Sequence, residues 1–252
     1  MKQIILFDVD GTITESSQKI STEMANKLNQ LKNNGFEIGI VGGGKMEKII
    51  EQMDGKIFFH HYFSECGCVY YKNNNHLSLE LREIYKKNIR EHELYNKINI
   101  LIKLSLNFLS NVDYTITGNF IDLRNGIIYI SLIGLVANLD ERSYFLSLDS
   151  KNNYRKKLLS LLLEKAKELN ILDKVDIVEG GSVGIAIYPS EYDKIQVLEY
   201  FSKDEYEKIY YFGDKYEING NDYKMITHDS VIGFKTDNPE YTLETLSQKL
   251  FF

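Results

Sequence analysis

Three short apolar runs punctuate the chain, and each stops in a polar or glycine-rich cluster: Ile4-Ile5-Leu6-Phe7, Ile38-Gly39-Ile40-Val41 and Ile209-Tyr210-Tyr211-Phe212. Unbroken apolarity over so short a stretch predicts strands buried on both faces. Between the first two runs, Ile20, Met24, Leu28 and Leu31 recur at helical spacing, and after the second, Met46, Ile49, Ile50 and Met53 do the same. Alternating strands and amphipathic helices predict an α/β fold with a parallel, Rossmann-like sheet.

The middle of the chain has another texture. Helical stretches near 95–111 and 154–169 accompany two hairpins, 120–123 with 127–131 and 175–178 with 183–188. Their turns are marked by Arg124-Asn125-Gly126 and Glu179-Gly180-Gly181. An inserted α+β cap domain over 84–187 is therefore expected between two halves of one core, 1–83 and 188–252.

Composition narrows the class. A chain of 252 residues that is 43% hydrophobic can bury a substantial core. It has no charged leader with an apolar stretch behind it and no bilayer-length apolar run, so a soluble cytoplasmic protein is expected, with no membrane partner. Cys66 and Cys68 can build neither a disulfide framework nor a structural zinc site, and are expected as reduced thiols. The formal charge of -6 disfavours nucleic acid as a partner and means that an anionic substrate needs local cations or a metal.

Candidate chemistry lies at the ends of the apolar runs. Phe7-Asp8-Val9-Asp10-Gly11-Thr12 follows the first, and a two-residue repeat would turn Asp8 and Asp10 to one side and Val9 to the other. Two carboxylates facing one spot demand a cation or a shared proton; with Mg²⁺ between them, one can attack phosphorus while the other handles a proton. The third run ends in Gly213-Asp214-Lys215 and continues to Gly220-Asn221-Asp222. Ligand sites of open parallel sheets lie at the carboxyl ends of strands. That makes Asp214 a candidate metal ligand, with Asn221 and Asp222 orienting waters or ligands around it. Gly42, Gly43 and Gly44 follow the second run and precede a helix, an arrangement whose amides can approach phosphate. Lys194 could neutralise phosphoryl oxygens and the aspartates around them.

Taken together, D-V-D-G-T, the glycine turn, the downstream lysine and G-D-K with N-D resemble the haloacid dehalogenase motif set. V-G-G-G, N-F-I-D-L-R-N-G, Asp140-Glu141-Arg142, Y-P-S-E-Y-D-K and F-G-D-K-x₄-G-N-D are similar, in order and spacing, to the eukaryotic-type phosphomannomutases. The resemblance implies a Mg²⁺-dependent phosphoaspartate enzyme that interconverts hexose 6-phosphate and 1-phosphate, usually of mannose. It also implies a hexose bisphosphate activator and a homodimer through the cap. Asp8 would be the nucleophile, Asp10 the general acid and base, and Asp8, Asp214 and the Asp10 carbonyl the metal ligands. Arg124 and Arg142 would hold the distal phosphate. The chain departs from the family where Leu135 replaces an arginine, Gly184 and Ala186 a serine and an aspartate, Ser17 an arginine and Gly44 a serine. A thinner substrate wall is expected, with a weaker hold on the bisphosphate. The alternatives are a sugar phosphatase that passes the same phosphoenzyme to water, and a silent scaffold, which the four intact positions Asp8, Asp10, Lys194 and Asp214 argue against.

Overall fold

A computed structural model describes residues 2–75, 77–218 and 220–250, the last two of these by backbone alone. The chain opens with β1 (Lys2–Phe7), α1 (Thr22–Asn33), β2 (Glu37–Val41), α2 (Met46–Met53), β3 (His61–Ser64), β4 (Val69–Asn73) and β5 (Leu81–Lys86). Next come α3 (Tyr95–Leu109), β6 (Ile121–Leu123), β7 (Ile128–Ser131), α4 (Leu139–Asn152), α5 (Tyr154–Glu168), β8 (Val175–Gly180) and β9 (Gly184–Pro189). It ends with β10 (Tyr206–Gly213), the short α6 (Tyr223–Ile226), β11 (Val231–Lys235) and α7 (Pro239–Thr245).

These elements form two compact units, Met1–Lys86 with Asp193–Phe252, and Lys87–Tyr192. The divisions fall a few residues beyond 83 and 187. Lys86 still pairs with Val69 in the first sheet, and Ser190 still donates its amide to Lys174 of the second unit at 3.0 Å.

The first unit carries a seven-stranded sheet in the order β11-β10-β1-β2-β3-β4-β5. Strands β11 to β3 run parallel, as the alternation predicts. The expectation of a parallel sheet is corrected beyond β3, where β4 and β5 pair antiparallel. Glu65, Cys66 and Gly67 take φ of 51°, 56° and 90°, and three successive left-handed residues reverse the chain without a crossover helix. The sheet is apolar on both faces. Ile5, Phe7, Ile38 and Ile40 pack with Met24, Leu28 and Leu31 of α1 and Ile49 and Met53 of α2, while Ile4, Leu6 and Val41 turn the other way onto Val197, Phe201 and Met225. Helix α1 starts where Ser21 accepts the Met24 amide at 3.0 Å, leaving its apolar stripe against the sheet.

The second unit holds a four-stranded antiparallel sheet in the order β6-β7-β9-β8. Ile128, Ile130, Ile185 and Ile187 are buried, α5 packs on β8 and β9, and α3 packs on α5. Both hairpins form, but β8 runs on to Gly180, which pairs with Gly184, so that turn comes later than Glu179-Gly180-Gly181 suggests. Helix α4 has no apolar stripe to reveal it and buries Phe145 and Asp149; a reciprocal cap between Asn138 and Glu141 starts it. Among the described residues no helix is long and apolar enough to cross a membrane.

Candidate active site

Parallel pairing brings the ends of β1, β2 and β10 side by side. Phe7 lies opposite Phe212 on one side and Ile40 on the other, and the ladder runs one bond further, from the Asp8 amide to the Phe212 carbonyl at 2.9 Å. Asp8 therefore leaves the sheet beside Gly213 and Asp214, and beside the glycine turn after β2. Gly11 completes the approach: its φ is +82°, and a Cβ there would stand 2.5 Å from Asp214 Oδ2.

Lys194 lies at the centre. It is 0% exposed, and its Nζ donates to Asp8 Oδ1 at 2.5 Å and to Asp222 Oδ1 at 2.7 Å. Asp222 Oδ1 also accepts from the Tyr211 hydroxyl, and its Oδ2 accepts the Lys215 amide at 2.9 Å. Burial opposes the lysine's charge, but Asp222 and Asp8 outweigh it and raise Lys194 well above the usual lysine range. Burial pushes the Asp8 carboxyl up to about 7, with Lys194 pulling it down and Asp222 and Asp214 adding to the rise. One buried cation, with the exposed Lys215 on Asp214 Oδ2 at 2.7 Å, thus stands among three carboxylates, and the cluster is left one positive charge short.

The carboxylates of Asp8 and Asp10 are held by different partners. The strand ends at Phe7, and the turn after it sends Asp10 to α2. There it accepts from Lys48 Nζ at 2.8 Å, Gln52 Nε2 at 2.8 Å and the Ser17 amide at 2.7 Å. Burial lifts its pKa, but these three donors outweigh burial and hold it below the usual carboxylate value. Ser17, where the resemblance leads to an arginine, serves through its backbone. Lys48, Gln52 and Tyr211 escaped the reading of the sequence. Gln52 left a signal, a buried amide on the otherwise apolar inner face of α2.

The donor set fits a hard divalent cation. Oxygens of Asp8, Asp214 and Asp222 lie within 4.8 Å of one another. Both Asp222 oxygens already have partners, whereas Asp214 Oδ1 and Asn221 Oδ1 are buried with none. Buried oxygen acceptors with no donor, in a cluster with excess negative charge, are what Mg²⁺ would satisfy. Asp8 and Asp214 are thus available as ligands, while Asp222 is bonded to Lys194, Tyr211 and the Lys215 amide.

The glycine turn is narrower in use than its sequence suggests. Gly42 donates its amide to the Phe63 carbonyl at 2.9 Å, while its own carbonyl takes the Cys66 amide and that of Gly44 takes Glu65. Any anion contact there falls to Gly43 and Gly44. Gln196 binds the Cys66 carbonyl at 2.8 Å, tying this turn to the segment that carries Lys194.

Arg124 and Arg142 belong to the second unit. Arg124 Nε donates to Asp122 at 2.8 Å, and its guanidinium lies 5.7 Å from the centre of the Tyr129 ring. Arg142 donates to the carbonyls of Ala137 at 2.9 Å and Leu135 at 3.1 Å. Two backbone carbonyls fix this guanidinium without neutralising it. Leu135 thus contributes its carbonyl where an arginine side chain was expected. Gly134 makes that turn possible, with φ of +113° and backbone atoms of Gly118 within 2.6 Å of a would-be Cβ.

The family model for eukaryotic phosphomannomutase matches residues 24–252. A phosphomannomutase of Encephalitozoon cuniculi is 34% identical over 99% of this chain and 94% of its own length. One of Saccharomyces cerevisiae is 32% identical over 97% and 93%. Among solved structures, a haloacid dehalogenase-like hydrolase of Bacteroides thetaiotaomicron superposes with a TM-score of 0.55 at 15% identity, covering 98% of this chain and 99% of that one. An IMP-nucleotidase of Plasmodium falciparum gives 0.64 at 14% identity, over 98% and 67%. At such identities these two structures speak for the fold alone.

Proposed function

This chain belongs to the eukaryotic phosphomannomutase family, and we propose from that premise that it interconverts hexose 6-phosphate and 1-phosphate, with mannose as the sugar, through a phosphoaspartate at Asp8. The observation that carries the reading is Lys194, wholly buried between Asp8 and Asp222 at the strand ends. A structural core has no use for a lysine fixed against a carboxylate beside unpartnered oxygens.

Asp8 would attack a phosphoryl group of the sugar, forming the Asp8 O–P bond and breaking the bond from phosphorus to the sugar oxygen. Lys194 spreads the charge of Asp8 and of the phosphoryl oxygens that reach it. Asp10, carried as the anion by Lys48, Gln52 and the Ser17 amide, takes the proton of the sugar hydroxyl that attacks the phosphoaspartate. It returns that proton to the other sugar oxygen when the second phosphoryl group moves to Asp8. Mg²⁺, held by Asp8, Asp214 and the Asp10 carbonyl, with Asn221 and Asp222 orienting around it, would supply Lewis-acid stabilisation of phosphoryl charge. Arg124 and Arg142 take the phosphate that is not in transit. A hexose bisphosphate would prime Asp8, and pairing of second units would make a homodimer.

Hydrolysis is not favoured as the main activity, because the full-length relatives above are named as mutases. The test is incubation with mannose 1-phosphate and glucose 1-phosphate, each with its bisphosphate, following isomerised sugar and free phosphate. Wild type should isomerise and form an acid-stable phosphoenzyme, and Asp8→Asn should do neither. Near-normal turnover by Asp8→Asn would remove the nucleophile and the reading with it.

A further inference from the structure

Tyr129 is a bulky residue on the sheet face of the second unit that turns away from the buried isoleucines. Its neighbours Ile128 and Ile130 point into the core, while Tyr129 pairs with Asp122 of β6 and Ala186 of β9. The phenol lies across the β8–β9 turn, where its hydroxyl donates to the Gly180 carbonyl at 2.9 Å. Three glycines make room for it. A Cβ at Gly184 would stand 2.4 Å from the ring's Cζ and as close to the Ile130 carbonyl; one at Gly180 would stand 3.1 Å from Cε2, and one at Gly181 3.2 Å from the hydroxyl.

Three guanidinium groups act on this phenol. Arg124 lies over its ring, and Arg142, Arg124 and Arg155 all bear on its hydroxyl, whose pKa burial nevertheless raises, so it stays protonated. Their charges are unequally compensated. Arg124 is paired with Asp122 and Arg155 with Asp149 and Glu179, whereas Arg142 rests on carbonyls. A phosphate dianion would be drawn to the guanidinium groups, with the Tyr129 ring beside Arg124.

The bonding capacity of a phenol narrows the role further. It has one proton and two acceptor sites. The proton goes to Gly180, and the Val183 amide takes one acceptor site. What remains is an acceptor, which repels phosphate oxygens and suits a hydroxyl donor.

We propose that Tyr129 is a specificity-determining residue of this chain, whose hydroxyl accepts a hydrogen bond from a sugar-ring hydroxyl next to the phosphate held by Arg124 and Arg142. The proposal rests on the functional reading above and deepens it by naming the group that senses the sugar rather than its phosphate.

Tyr129→Phe removes the acceptor and keeps the ring. The Michaelis constant for mannose 1-phosphate should rise roughly two- to twelvefold, the worth of one hydrogen bond between neutral groups. The ratio of kcat/KM between mannose and glucose 1-phosphates should change, while competitive inhibition by inorganic phosphate stays at the wild-type value. Unchanged KM and sugar preference would overturn the proposal. So would an equal weakening of sugar phosphate and inorganic phosphate, which would make Tyr129 a mere support for the arginines. Asp8→Asn run in parallel separates the two levels: if it is dead while Tyr129→Phe behaves as wild type, the mutase reading stands and the role of Tyr129 falls.

Discussion

Asp8 and Arg142 keep charge in opposite ways. Around Asp8, buried ions are bound to one another inside the protein: Lys194 and Asp222 are fully buried, and a hydrogen bond of 2.5 Å joins Lys194 to Asp8. Around Arg142, a half-buried guanidinium is aimed by two main-chain carbonyls and keeps its charge unbalanced. The first site is assembled before any substrate arrives, so removing a partner should damage the fold along with the chemistry. On the proposed function the second holds a phosphate, so its loss should be felt in binding and hardly at all in stability.

Lys194→Met is the severest test of that contrast. Leaving Asp8 and Asp222 buried without their cation should lower unfolding free energy by about 3–5 kcal/mol and abolish turnover. A denaturant titration showing less than about 1 kcal/mol lost would mean that the cluster is not held together by this lysine. Asp214→Ala comes next, acting on the metal rather than the fold. Mg²⁺ at about a hundred times its dissociation constant should stabilise wild type by about 2.7 kcal/mol. Thermal shift and calorimetry should register that gain in wild type and lose it in Asp214→Ala; equal Mg²⁺ stabilisation of both proteins would displace Asp214 from the metal.

Arg142→Ala should raise KM for hexose phosphates about ten- to a hundredfold, the loss of a charge-assisted hydrogen bond, with the melting temperature little changed. A melting temperature that fell while KM held would invert the comparison and make Arg142 a structural residue.

The smallest effect concerns a half-buried ionic group at the start of β2. Glu37 accepts from Tyr206 at 2.6 Å, Lys2 at 2.9 Å and His61 at 3.0 Å. Burial raises the Glu37 pKa, but these donors outweigh it and hold it far below 4.5, and burial holds His61 below 6.5. Both folded values are depressed, so the unfolded chain binds protons more readily. Their stability is whole above about pH 6.5 and is lost as pH falls, first through His61 and then through Glu37. Melting temperatures between pH 7.5 and 4 should decline, and Glu37→Gln should flatten the lower part of that decline while leaving kcat at neutral pH unchanged. A slope identical to wild type would assign the acid sensitivity to other groups.

Much of this molecule was legible before folding. The apolar runs ending at Phe7, Val41 and Phe212 become neighbouring parallel strands, and chemistry follows at their ends because a buried strand needs apolar residues on both faces and can carry charge only where it leaves the sheet. The hairpin at Arg124-Asn125-Gly126 was legible for a similarly local reason, since its turn closes between Arg124 and Ile127 at 2.9 Å. Helix α4 was not, because it buries little of its length and leaves no period to detect.

What the sequence determined alone was the placement of the candidate reactive groups at strand ends, since patterning is local and survives without knowledge of neighbours. Tertiary structure decided their pairings. The bond from Lys194 to Asp8 spans 186 positions in the chain and that from Gln52 to Asp10 spans 42, separations at which no periodicity carries information. It also decided which donors hold Asp10, because the strand ends at Phe7 and the turn after it meets Lys48 and Gln52 of α2. And it decided that three glycines serve a tyrosine more than fifty positions away from Gly180 and its neighbours, because space is shared across strands and not along them.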